Sequence, residues 1–345
     1  MNPVDFRSDT LTAPDAAMRS VMADAAVGDD VFGEDPTVTS LERHIADLSG
    51  KESGLFVPSG TMSNLIAMSV HCQGLFSEAL AGDASHIALY ECGGSASVGR
   101  AFVRQLPTED DGTIKIDVLR GNIQPANIHH TKTKVIALEN THNAKGGKVL
   151  PQPYVEEVAA LCREHSIKFH CDGARIWNAA VAQKRSVREL LTPYDTASLC
   201  LSKGLGAPVG SVLVGSSSFI ADARHLRKLL GGGMRQAGIL AAAGLFAVQN
   251  RFGRLHEDHA MAYALAQGLE KLGFAVIKPD SNIVIWKMDP AERDPFLKRC
   301  EERGLKLVAM GATGNVRAIP HFGNTMEDVH YALQVIEGIV GGKKK

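Results

Sequence analysis

Two short apolar runs of this chain stop at charges of opposite sign. "IKFHCDGAR" reaches Asp172, with Arg175 three residues on, and "ASLCLSKGLG" reaches Lys203. Charged side chains are costly to bury unless something pairs with them. Asp172 and Lys203 therefore either hold each other or both hold a group that is not protein. A third stretch, "LFVPSGTMSNLIAM", reads as a strand ending at Pro58 and a helix opened by Ser59-Gly60-Thr61. Free N–H groups and the helix dipole make such a start a phosphate site; the simpler reading is an N-cap by Ser59 or Thr61. It is neither a Walker loop, since no lysine follows, nor a G-x-G-x-x-G fingerprint. "GDASHIALYECGG" adds His86, with Tyr90 and Glu91 close behind. A lone histidine there is structural unless a flat ring lies against it.

A lysine in a half-buried crevice forms Schiff bases, and a buried aspartate suits a protonated pyridine nitrogen. With a phosphate-type helix start these are the three anchors of pyridoxal phosphate. A structural Asp172–Lys203 ion pair is the competing account. No metal site is expected.

The elements that must position these groups alternate. "SGLFV", "KVIALEN", "IKFHCDG", "ASLCLS" and "GSVLVG" read as strands, and "SGTMSNLIAMSVHC", "YVEEVAALCREH" and "ARIWNAAVA" as amphipathic helices. That pattern implies an α/β fold, a three-layer αβα arrangement around a mostly parallel sheet. In such sheets ligands bind at the carboxyl ends of the strands, where Asp172 and Lys203 both fall. Three helices broken at glycines follow up to about residue 272, and the chain closes as a small C-terminal α+β domain. The expected division is an N-terminal arm over 1–15, a large cofactor-binding domain over 16–253 and the small domain over 254–345.

The chain has 345 residues, with 37 Lys plus Arg against 38 Asp plus Glu. That balance argues against nucleic acid as a partner. Six scattered cysteines without a C-x-x-C give no disulfide framework. With no apolar signal core and no run of membrane-spanning length, the expectation is a soluble, cytoplasmic protein without a membrane partner. The terminal "GGKKK" reads as a solvated tail.

These blocks resemble the low-specificity L-threonine aldolases, pyridoxal-phosphate enzymes of the aspartate-aminotransferase fold, fold type I. The resemblance runs through "FRSDTLTAP", "VGDDVFGEDPTV", "PSGTMSN", "LENTHN", "HCDGARIWNA", "LSKGLGAPVGSVLVG" and "GGGMRQAGILAAAG". It thins after about residue 255 and returns at "VRAIPHF". It implies that Lys203 carries the cofactor as a Schiff base, that Asp172 pairs with the ring nitrogen, that His86 stacks on the ring, and that Gly60 and Thr61 bind the phosphate. It implies further that Ser8, Arg175 and Arg317 hold the substrate carboxylate and that Arg235 reaches a neighbouring subunit's phosphate. His129, with His130 beside it, matches a histidine near the substrate hydroxyl. Sites at the interface of a homodimer or homotetramer are expected. Two stretches depart from the family pattern. The usual "ENTHNGKVLP" is "ENTHNAKGGKVLP" here, and "CGGSASVGRAFVRQL" after Glu91 is unusual.

The implied reaction is retro-aldol cleavage of L-threonine, L-allo-threonine and related β-hydroxy-α-amino acids to glycine and an aldehyde. It needs a base for the β-hydroxyl proton, His86 or His129, with arginines fixing which Cα bond breaks. An amino-acid racemase, for alanine, would use the same anchors, with Lys203 on one face and His86, Tyr90 or water on the other. An inactive cofactor-binding scaffold is the alternative from outside enzymology; the retained lysine, arginines and histidines speak against it.

Overall fold

Seven strands form the central sheet: β1 (Ser53–Val57), β2 (Ser77–Gly82), β3 (Phe102–Leu106), β4 (Lys132–Glu139), β5 (Lys168–Gly173), β6 (Thr196–Cys200) and β7 (Ser211–Gly215). The structure is a computed structural model and describes residues 3–125, 127–311 and 314–341. Residues 342–345, most of the Lys-rich tail, lie outside the described residues.

The strand order is β1-β7-β6-β5-β4-β2-β3. Only β7 runs against its neighbours; the other six point the same way. Their carboxyl ends therefore open on one edge, and β7 begins there, at Ser211. Successive side chains of a strand face opposite sides, and both sides are covered. Leu55 and Val57 of β1 pack with Ile66 and Met68 of the Gly60–His71 helix and Ile220 of the Ser217–Leu229 helix. Phe56 packs the other way, with Leu41 and Ile45 of the Pro36–Ser49 helix. The result is the α/β three-layer arrangement expected from the alternation.

Neither β2, "SEALAG", nor β3, "FVRQL", stands out in the sequence. β2 is rich in alanine and carries a carboxylate at its second position. Glu78 is fully buried, and its charge is held by Arg104 at 2.9 Å and by the hydroxyls of Thr131 and Thr133 at 2.6 and 2.7 Å.

One apolar cluster extends to Leu255; a second begins at Met261, on the Leu255–Lys271 helix, and continues to Ile339. The second surrounds an antiparallel sheet of β8 (Ala275–Ile277), β9 (Val284–Lys287), β10 (Val308–Met310) and β11 (Asn315–Ala318), in the order β10-β11-β9-β8. The N-terminal arm docks on this unit. Val4–Asp5 pairs in parallel with Leu305–Lys306, and Val4 and Phe6 are buried in its core. No helix among the described residues is long and apolar enough to cross a membrane.

Candidate active site

On β5, His170 and Asp172 are two apart and share a face. Thr196 of β6 pairs with His170 in register and shares that face. Above lies the Gly60–His71 helix, where Asn64 and His71, two turns apart, share one side. A hydrogen-bond chain joins the layers. His71 Nε2 and Thr196 Oγ1 are 2.8 Å apart, Thr196 Oγ1 and His170 Nδ1 2.9 Å, and His170 Nε2 and Asn64 Oδ1 3.2 Å. Asn64 Nδ2 donates to Asp172 Oδ2 at 2.9 Å and Glu91 Oε1 at 2.8 Å. Burial pushes His170 down to about 3 and His71 to about 4. Both rings are thus neutral, and each offers one donor and one acceptor.

Asp172 is buried, and its second oxygen accepts from Ala174 N at 3.1 Å. Desolvation, then the charges of Glu139 and Glu91, push its carboxyl up to about 6. Glu139 is the register partner of Asp172 at the end of β4. It caps two turns, taking His86 N at 2.7 Å and Asn143 N at 2.8 Å. His86 opens the short His86–Leu89 helix, half-buried, and its Nδ1 lies 3.0 Å from Glu91 Oε1. Desolvation lowers its affinity for a proton, but the hydrogen bond to Glu91 and the charges of Asp172, Glu91 and Glu139 outweigh it, and the net shift is upward. One atom each from His86, Glu91 and Asp172 lies within 4.8 Å of the others. An amide donor already bridges the two carboxylates, so the cluster is built as a hydrogen-bond network rather than as a cation cage.

Lys203 follows the end of β6 by three residues, half-buried in a turn closed by Gly206 N to Lys203 O at 2.8 Å. Thr12 Oγ1 donates to the same carbonyl at 2.9 Å. Gly206 has φ +79°, and a Cβ there would stand 2.3 Å from Phe322, so "SKGLG" and "IPHF" meet only across a glycine. Among the described residues no ion pair joins Lys203 to Asp172; the amide of Asn64 and the N–H of Ala174 hold that carboxylate instead.

Ser59 does cap its helix, accepting from Met62 N at 3.1 Å, and Gly60 and Thr61 stand at the helix start on the same edge. A Cβ on Gly60 would lie 3.5 Å from Ser211 Oγ, and the buried hydroxyls of Ser63 and Ser211 have no protein partner. Pyridoxal phosphate fits these residues. Its ring nitrogen would supply a positive charge to Asp172, which no cationic side chain among the described residues hydrogen-bonds, Lys203 an amine, and the helix start with its two orphaned hydroxyls a phosphate cradle.

Arg175 precedes the Ile176–Gln183 helix and is buried. Its Nε and Nη2 bond Asp9 at 2.8 and 2.7 Å, and its Nη1 donates to Asn143 Oδ1 at 3.2 Å. Against the cost of burial, the Arg175 guanidinium holds Asp9 well below the usual carboxylate range. The same Asn143 oxygen accepts from Arg317 Nη1 at 3.1 Å, and Arg317 Nη2 reaches Arg7 O at 3.2 Å. Among the described residues, Arg317 Nε is buried without a partner. Burial and then the charge of Arg175 push Arg317 down to about 10. Ser8 is half-buried and caps the Asp9–Leu11 turn. Tyr90 is exposed, its ring 5.5 Å from that of His86.

Lys203, Asp172, His86, Gly60, Thr61, Ser8, Arg175, Arg317 and Tyr90 thus collect on one edge. Two expected residues do not join them within one chain. His129 and His130 are exposed and precede β4, whereas Glu139 ends it. Seven steps of about 3.3 Å put them roughly 20 Å from the site edge. Arg235 is exposed and pairs with Asp29 at 3.0 Å. Asn64, Glu139, Asn143, Asp9 and His170 are site-building residues to which the sequence assigns no role, and Glu91 shows there only as a neighbour of His86. Asn64 and Asn143 sit inside quoted motifs, yet only the fold shows what their amides join. The lengthened "NAKGGK" loop clasps the second unit. Lys148 Nζ reaches Asp280 at 3.1 Å, and Ser281 Oγ donates to Gly147 O at 2.8 Å.

The chain matches the family model described as beta-eliminating lyase over residues 5–291. It is 42% identical to the low-specificity L-threonine aldolase 1 of Arabidopsis thaliana, covering 98% of this chain and 96% of that one. It is also 42% identical to the low specificity L-threonine aldolase of Escherichia coli K12, over 94% and 96%. The Leishmania major threonine aldolase structure superposes with a TM-score of 0.84 over 97% of this chain and 99% of that one. At 21% identity that likeness is one of fold.

Proposed function

We propose that this chain, which belongs to the beta-eliminating lyase family and within it to the low-specificity L-threonine aldolases, is a pyridoxal-phosphate lyase. It cleaves L-threonine and related β-hydroxy-α-amino acids to glycine and an aldehyde. The observation that carries this is the Asp172 cluster: a buried carboxylate at a strand end, beside two more, hydrogen-bonded to no cationic side chain and facing the Lys203 turn.

Lys203, Asp172, Gly60 and Thr61 would hold the cofactor, with the hydroxyls of Ser63 and Ser211. When bound, pyridoxal phosphate supplies an electron sink for the bond broken at Cα. The chain's own residues do the rest. Arg317, whose Nε has no partner among the described residues, takes the substrate carboxylate, and Asn143, which Arg175 also holds, and the Arg7 carbonyl fix its guanidinium from behind. Ser8 stands at the same place on the arm. A carboxylate fixed this way sets which Cα bond stands across the ring plane. His86 removes the β-hydroxyl proton, and its partner Glu91 accepts from Nδ1.

A homodimer or homotetramer belongs to the same proposal. Val31 and Phe32 are exposed beside the Asp29–Arg235 pair, an apolar and ionic surface suited to a second copy. His129 serves the site only if that copy presents it. Incubating the protein with L-threonine, L-allo-threonine and L-alanine tests the activity. Acetaldehyde and glycine from the first two support it. D-alanine from the third, without acetaldehyde, makes the protein a racemase.

A further inference from the structure

We propose that Glu91 is a positioning residue for this site: its Oε1 fixes His86 by Nδ1, so that Nε2 is the nitrogen offered to the substrate, and through Asn64 it ties His86 to the ring anchor Asp172. The role in catalysis rests on the aldolase reading above; the pairing itself does not.

Glu91 is buried, with 4% of its surface exposed, at the end of the short segment that carries His86. Its Oε1 lies 3.0 Å from His86 Nδ1 and 2.8 Å from Asn64 Nδ2. A carboxylate oxygen only accepts, so Nδ1 carries the hydrogen and Nε2 is left with its lone pair, the state a general base requires. Asn64 has its own orientation fixed from the far side, because His170 Nε2 meets its Oδ1 at 3.2 Å. Its Nδ2 must then face Glu91 and Asp172 together. One amide thus ties the acid–base group to the ring anchor. Glu91 Oε2 is buried with no partner among the described residues, so the side-chain hydrogen bonds of this carboxylate all run through Oε1 to His86 and Asn64.

Four groups face His86: Glu91 from its own segment, Asp172 from β5, Glu139 from β4 and the Tyr90 ring. Three are acids, and among the described residues Glu91 alone is hydrogen-bonded to the imidazole. Glu91→Gln keeps the shape and the acceptor but removes the charge. The readout that does not depend on activity is carbethoxylation of His86 by diethyl pyrocarbonate, followed across pH by peptide mass spectrometry on protein with and without cofactor. The reagent attacks neutral imidazole. In Glu91→Gln the midpoint for His86 moves down by about one pH unit, and the acid limb of kcat/KM for L-threonine moves with it. Asn64→Ala keeps the Glu91 charge and leaves that midpoint high while lowering kcat. An unchanged His86 midpoint in a folded Glu91→Gln protein overturns the proposal. If Glu91→Gln fails to fold, Glu91→Asp carries the same comparison: the charge is kept at a longer reach, and a midpoint that does not respond overturns the proposal equally. A parent that releases no acetaldehyde defeats the aldolase reading, while the midpoint still decides whether Glu91 governs His86.

Discussion

Arg175 and Asp9 face each other as a bidentate, fully buried pair, Nε to Oδ2 at 2.8 Å and Nη2 to Oδ1 at 2.7 Å. Arg317, one asparagine away, has no carboxylate partner among the described residues. The two arginines of the expected clamp are therefore unequal. One is occupied by the protein itself, and the other keeps a buried Nε without a partner among the described residues.

Their alanine variants should separate. Arg175→Ala leaves Asp9 charged and unpaired in the core, a loss of about 3–5 kcal/mol, seen as a large drop in melting temperature. Arg317→Ala leaves no such orphan. It should raise KM for L-threonine roughly 10–100-fold, the worth of about 1.5–3 kcal/mol for a hydrogen bond to a charged group, with little change in melting temperature. Equal destabilisation by both would remove the distinction.

The Asp172 carboxyl gives a pH signature in cofactor-free protein. Its folded value, about 6, lies above the usual 3.8, chiefly because of burial and then Glu139 and Glu91. A raised value means that the contribution to stability is complete below the unfolded value and is lost as pH rises through the folded one. The window is therefore pH 4 to 6, and a shift of this size corresponds to roughly 3 kcal/mol. Asp172→Asn should flatten the fall in melting temperature across that window and also weaken cofactor retention. Parallel melting curves for parent and variant would count against the charged cluster.

Lys203→Ala should abolish the borohydride-reducible bond to the cofactor, mapped by peptide mass spectrometry. A label on any other lysine displaces Lys203 from the site.

The lengthened loop makes its own prediction. Gly147 has φ +69°, and a Cβ there would stand 2.3 Å from Ser281 Oγ. Gly147→Ala should therefore open the clasp between the loop and the 278–283 segment and speed proteolysis there. Asp280→Ala, which removes a partly exposed ion pair and a 3.3 Å hydrogen bond from Val149 N without forcing the backbone apart, should do so less. Proteolysis unchanged in both would make the clasp incidental.

The sheet is legible wherever strands are β-branched and bounded by turn residues, as in "KVIALEN" and "GSVLVG". It is not legible at "SEALAG", whose strand exists because Arg104, Thr131 and Thr133 satisfy a buried glutamate from distant positions. Of the site, groups that end strands show themselves, because Asp172 and Lys203 break apolar runs. Groups that act by joining others do not. Asn64 is an ordinary helix residue until the fold lays its amide between two carboxylates, and Asn143 an ordinary loop residue until two arginines share its oxygen. His129 is legible only through sequence likeness: the parallel run of β4 puts it at the far edge of its own chain, so its role depends on a second copy.

The last prediction concerns His86 and the identity of the reaction. Its backbone is fixed by Glu139 and its ring by Glu91, so the imidazole is held rather than free. His86→Phe keeps a flat ring and removes the nitrogen. General acid–base groups contribute about 10²–10⁴-fold, so the variant should bind the cofactor and lose aldehyde release by a factor in that range. Racemisation would depend differently on the same residue, because proton exchange at Cα would use Lys203 on one face. The comparison is therefore made on parent and variant together, with acetaldehyde from L-threonine and solvent deuterium uptake at Cα of L-alanine measured side by side. Aldehyde release should collapse in the variant while exchange at Cα falls less. Equal loss of both would assign His86 to ring stacking alone. A parent that exchanges alanine rapidly to both enantiomers and releases little aldehyde would replace the aldolase with a racemase.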